Sequence, residues 1–121
     1  MAIKVVTTFA VAAMVVLAMS AGNAQAQAAD KKTERLWKSK CSSCHGVEGD
    51  GNTEQGKKMK VVDMTTAAWQ SKRSDEYIKK AIMEGTKKEE GGVKKEMDAY
   101  KDEINPDQLD ALVKYIRSLK K

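Results

Sequence analysis

The apolar positions of this chain fall into one nearly unbroken run and three interrupted stripes. Val5 to Met19 is almost continuously apolar. Beyond it, apolar residues recur at helical spacing. At about 100° per residue, Leu36 and Trp37 share a side with Cys41 and Cys44, which predicts a helix from about Lys31 to Ser43, capped by Asp30. Tyr77, Ile78, Ala81 and Ile82 form the apolar face of a second predicted helix, Ser74 to Glu84. Ser74 is placed to cap it, Asp75 and Glu76 suit its first turn, and Gly85 ends it. The strongest stripe is the last: Leu109, Leu112, Val113, Ile116 and Leu119 stand at i, i+3, i+4, i+7 and i+10. Asn105 precedes it as a cap, Pro106 takes the first helical position, and Gln108 completes a capping box. A further short turn of helix is expected near Thr65 to Gln70. Thr86 to Glu96 is charged and carries Gly91-Gly92, so it reads as a mobile loop. No strand and no internal repeat is expected.

The first apolar run has flanks that give it a different meaning. Met1 to Lys4 is short and basic, and Ser20 to Ala28 is small and polar. Ala24-Gln25-Ala26 and Ala26-Gln27-Ala28 are A-x-A sites. That order is the pattern of a secretory signal peptide, with cleavage expected after Ala26 or Ala28. Val5 to Ala21 is at the lower limit of a membrane span, so no stable membrane insertion is expected after cleavage. The chain thus divides into a signal peptide, 1–28, and one small domain, 29–121. A domain of that size buries little core and is marginal by itself.

Charge narrows the partners. The full chain carries +5, and Lys4 is the only charged side chain in 1–28, so the domain carries one less. Its basic residues are mixed with many acids, which argues against nucleic acid as the partner. Local lysine clusters suit docking on an acidic protein surface. Asp50, Asn52 and Glu54 alternate like part of a calcium loop, but the rest of that motif is missing and the stretch reads as a solvated turn.

One stretch names a chemistry. Cys41-Ser42-Ser43-Cys44-His45 is the C-x-x-C-H signature of covalent haem attachment, and it holds the only two Cys and the only His in 121 residues. Two intervening residues let the thiols reach two vinyl groups on one porphyrin edge. The adjacent imidazole then meets the iron from the same turn. A disulfide, the usual fate of paired Cys after export, leaves His45 unexplained. A thioredoxin-like site needs a βαβ pattern that the chain lacks. Zinc needs a fourth ligand that is not evident.

The haem motif after a first helix, the glycine-rich loop Gly46 to Asn52, a middle helix, a late Met and a strong last helix together resemble a class I cytochrome c. Leu36 to Gly46 and Met97-Asp98-Ala99-Tyr100, followed by the helix from Gln108 to Leu119, carry the resemblance over Asp30 to Lys121. It implies an all-α fold, a small cytochrome c with three or more helices wrapped around one covalently bound haem c. It implies that the first and last helices pack together, with Trp37 against Tyr115. It implies His45 as the proximal iron ligand and Met97 as the distal one, with Met59, Met64 and Met83 as the competing methionines. Asp98 follows Met97 where the family commonly has proline. The proximal imidazole N–H usually meets a proline carbonyl, and here a carbonyl near Val61 to Asp63 is expected to serve instead. Thr33 stands where a glycine often allows close helix crossing.

The implied function is electron transfer in the periplasm by a monomer, not an enzyme, meeting redox protein partners transiently. Lys38, Lys40, Lys57, Lys58, Lys60, Lys94 and Lys95 are the candidate docking cations. Two other readings stay open. An iron lacking Met97 would be five-coordinate and suited to ligand sensing or peroxidase-like chemistry, and the same domain also suits a haem subunit of a larger oxidoreductase.

Overall fold

Trp37 and Leu112 are each only 1% exposed, and the helices that carry them pack against each other. The computed structural model describes residues 22–121 in backbone and 31–121 in side chains. The signal peptide and cleavage sites expected over 1–28 therefore lie outside the residues whose side chains are described. The element order is α1 (Gly22–Lys40), α2 (Ser42–His45), α3 (Glu54–Lys58), α4 (Ala67–Lys72), α5 (Asp75–Glu84), β1 (Thr86–Glu90), β2 (Val93–Met97) and α6 (Pro106–Ser118). No helix among the described residues is long and apolar enough to cross a membrane.

The frame is α6 with α1 and α5 packed on it. Leu109, Leu112, Val113 and Ile116 of α6 are buried, as their stripe predicts. Ile78 and Ile82 of α5 join them, with Met64 and Ile104 from the connecting segments. The expected aromatic contact is present, the Trp37 and Tyr115 rings lying 5.5 Å apart. Thr33 is buried, so α1 carries a hydroxyl-bearing side chain into its packed face. The capping expectations hold in detail. Asn105 accepts from the Gln108 N–H while the Gln108 side chain accepts from the Asn105 N–H, and the Ser74 side chain accepts from the Tyr77 N–H.

Four expectations are corrected. The first helix is already present at Gly22, the first residue described, so Asp30 lies inside it and does not cap it. It also stops at Lys40, with a turn at Cys41 before α2. The short helix expected from Thr65 to Gln70 lies slightly later, at Ala67–Lys72, and Thr66 caps it. The largest change is Thr86 to Glu96, expected as a loop. Thr86–Glu90 and Val93–Met97 pair antiparallel, Thr86 opposite Met97 and Glu90 opposite Val93. Gly91 and Gly92 both have positive φ, 58° and 75°, the requirement of the tight two-residue turn that matches strand twist. The mainly helical architecture therefore carries one two-stranded sheet.

Candidate functional site

The turn at Cys41 is built by its own backbone. The N–H groups of Cys44 and His45 both donate to the Cys41 carbonyl, at 3.3 and 2.9 Å. The carbonyls that follow are taken by surrounding groups. Gly51 N–H donates to His45 O at 2.7 Å, and the Thr53 hydroxyl donates to Cys44 O at 3.0 Å. The buried Trp37 indole N–H donates to Gly46 O and Val47 O at 3.0 and 3.2 Å. Its ring lies 5.9 Å from that of His45. The motif is thus fastened to α1 on one side and to the glycine-rich loop on the other.

Both cysteines are free thiols, half-buried and turned into one cavity of about 360 Å³. Burial, reinforced by neighbouring Cys44, pushes the Cys41 thiol up to about 11, so it stays protonated at neutral pH. Burial also holds the His45 imidazole below its ordinary pKa, so it is neutral at pH 7 and keeps a lone pair for a metal. His45 Nδ1 is buried without a hydrogen-bond partner among the described residues. The carbonyl expected from Val61 to Asp63 does not reach it.

Met97 enters the same cavity from the end of β2. Strand alternation places it on one face with Val93 and Lys95, all three half-buried while Lys94 and Glu96 are exposed. Met59 and Met64 also line the cavity, whereas Met83 packs against the core without lining it. All four residues singled out in the sequence, Cys41, Cys44, His45 and Met97, are therefore brought together. Most of the remaining wall is apolar, with Ile78, Ala81 and Ile82 from α5 and Leu112 and Ile116 from α6. Two thiols at fixed spacing, a neutral imidazole, thioethers and a large apolar space fit a covalently held haem.

Several contributors are not evident in the sequence. Trp69 of α4 and Tyr100 complete the wall. The Tyr100 hydroxyl donates to Lys40 O at 3.1 Å, tying the segment after Met97 to the end of α1. Buried Gln70 donates to Met64 O and Ile116 O, and Arg117 reaches Gln70 O, Arg73 O and Asp75. This network fixes α4 against α6 beside the cavity. On the hairpin, Lys88 stands directly opposite Lys95, and both line the cavity with Glu90 and Lys60. Lys95 pairs with Glu90 at 2.8 Å, which lowers the Glu90 pKa, and Lys88 and Lys60 add to that effect. Of the candidate docking lysines, Lys40, Lys60 and Lys95 line the cavity, and Lys38, Lys57, Lys58 and Lys94 lie away from it. Lys38 and Lys58 pair with Glu34 and Glu54 on their own helices.

A family model described as Cytochrome c matches residues 31–120. Among solved structures, the KustC0563 c-type cytochrome is 34% identical, covers 74% of this chain and 98% of its own, and superposes with a TM-score of 0.62. A point mutant of that cytochrome is 33% identical, covers 73% of this chain and 98% of its own, and gives 0.60. No curated protein matches the chain.

Proposed function

From the premise that the chain belongs to the cytochrome c family, we propose that it is a periplasmic electron carrier whose iron is held by His45 and Met97. It is a haem-binding electron-transfer protein, and Cys41 and Cys44 have the spacing for covalent haem c. The observation that carries the finer reading is the single cavity in which Cys41, Cys44, His45 and Met97 converge.

Bound haem supplies the Fe(II)/Fe(III) couple. The chain supplies the rest. Neutral His45 offers a nitrogen and Met97 a thioether, a pair that sets a higher potential than two imidazoles. The apolar wall from α5 and α6 disfavours the extra positive charge of the oxidised state and acts in the same direction. Lys60, Lys88 and Lys95 at the hairpin side suit the carboxylates of the group and an acidic partner surface. Contacts with that partner are brief, as electron-transfer encounters are small and weak. The amino-terminal pattern of residues 1–28 supports export.

The test is the visible spectrum of the oxidised protein, produced with c-haem maturation machinery. A weak far-red sulfur-to-iron band that disappears in Met97→Ala is the expected result. Covalent haem without that band in the unsubstituted protein sinks the Met97 assignment and favours a five-coordinate, ligand-binding role. Electron-transfer rates that fall steeply with salt support docking on an acidic surface.

A further inference from the structure

We propose that Gly85 is a positioning residue for Met97, a backbone seat against which the chain from Met97 to Ala99 packs. The inference rests on the reading of Met97 as an iron ligand.

Gly85 follows α5 directly, and its φ of 72° with ψ of −179° lies in a region of backbone space essentially closed to other residues. Its N–H donates to Ala81 O at 3.0 Å and ends the helix. A helix end alone does not demand what lies on its other side. A Cβ at Gly85 would collide with the Met97 carbonyl oxygen and stand 3.0 Å from Ala99 N and Asp98 C. The backbone of the residues from Met97 to Ala99 therefore rests directly on the Gly85 Cα.

Two further attachments continue from that contact. Tyr100 N–H donates to Ile82 O at 3.0 Å, and Lys101 N–H donates to Met83 O at 3.2 Å. These carbonyls belong to the last turn of α5, where helical partners run out. On the other side of Gly85, Thr86 pairs with Met97 in the hairpin ladder. Met97 and the four residues after it are thus held by the carboxyl end of α5 together with Gly85 and Thr86 that follow it. Asp98 cannot restrict the chain as proline does. Packing on Gly85 supplies the restriction from outside.

A glycine needed only to end α5 would lower stability when replaced, without changing what binds the iron. A seat for Met97 would change both. The experiment compares oxidised holoprotein carrying Gly85→Ala with the unsubstituted protein and with Gly92→Ala. Gly92 also has positive φ, but nothing lies within 4 Å of the Cβ it would gain. The readouts are the far-red sulfur-to-iron band and the imidazole concentration that abolishes it. Gly92→Ala should match the unsubstituted protein. Gly85→Ala should keep covalent haem but lose the band, or yield it at a roughly tenfold lower imidazole concentration, the effect of strain near 1.4 kcal/mol. An unchanged imidazole midpoint in Gly85→Ala overturns the seat and leaves Met97 as ligand. A missing band in the unsubstituted protein overturns the Met97 reading and the seat with it. Should Gly85→Ala yield no folded holoprotein, amide exchange on the unsubstituted protein decides. Displacing Met97 with imidazole should speed exchange at Tyr100 and Lys101, and unaltered protection there overturns the seat.

Discussion

The α1–α6 pair and the β1–β2 hairpin both border the same cavity, yet they are held by opposite means. The helix pair buries Trp37, Leu112, Val113 and Ile116. The hairpin buries no residue fully, only Thr86, Val93, Lys95 and Met97 being half-buried. Its cohesion comes from the ladder and from exposed pairs such as Lys87–Glu96 at 3.1 Å, each worth little in water. Lys88 facing Lys95 works against it. A two-stranded ribbon is marginal by itself, so this one depends on what it lies against. Stability therefore resides mainly in the frame, while the hairpin carries Met97 and the charges at the cavity rim. The two roles can be altered separately.

The largest expected effect breaks the frame. Trp37→Ala removes a fully buried ring and its indole N–H bonds to Gly46 and Val47, and should cost about 3–5 kcal/mol in denaturant unfolding of the holoprotein. A cost below about 1 kcal/mol would mean that the frame is not the main source of stability. Next is Asn105→Ala, which opens the capping box at the start of α6 and should cost about 1 kcal/mol in the same assay. On the hairpin, Lys88→Ala should change stability by no more than about 0.5 kcal/mol. It should nevertheless lower the reduction potential, because a positive charge beside the cavity favours the reduced state. An unchanged potential with a large stability loss would reverse the division of roles.

The smallest effects are those of exposed ion pairs. Lys79 holds the Asp110 carboxyl below its ordinary 3.8, and Lys95 holds Glu90 below its ordinary 4.5. A carboxylate whose pKa is lowered by folding contributes stability above its unfolded value and loses that contribution as pH falls through the folded one. Asp110→Asn, on the frame, and Glu90→Gln, on the hairpin, should each give a small stability loss at pH 7. That loss should vanish at pH values below the folded pKa of each group. Thermal melts at the two pH values test it, and a loss that persists in acid would show that charge is not its source.

The same comparison explains what can be read without coordinates. α6 is legible because its signals are local: Asn105, Pro106 and Gln108 stand beside the stripe they introduce. Cys41, Cys44 and His45 are legible because one turn holds them all. The hairpin is not, since Thr86 to Glu90 and Val93 to Met97 offer charge in place of apolar alternation, and only Gly91-Gly92 marks the turn. Its register puts Lys88 opposite Lys95, a relation that no single segment contains. α3 escapes for a different reason, being too short for any period to show. Gln70 and Arg117 look like ordinary surface polar residues, and their network joins positions far apart in the chain. The missing partner of His45 Nδ1 likewise cannot be read from its own segment.

The pairing of Thr86 with Met97 at one end of the hairpin, and the open glycine turn at the other, make the length of this ribbon heritable in steps of two residue pairs. Losing Glu89 and Glu90 together with Val93 and Lys94 would keep a hydrogen-bonded pair at the turn, leave Thr86 and Met97 in register and draw the tip back by about 6.8 Å. Gaining two pairs would extend it by the same amount. Nothing lies within 4 Å of the Cβ positions at Gly91 and Gly92, so the tip has room in either direction. Paired insertions and deletions are thus a route by which descendants of this chain can lengthen or shorten the cover over the rim while inheriting the iron site unchanged.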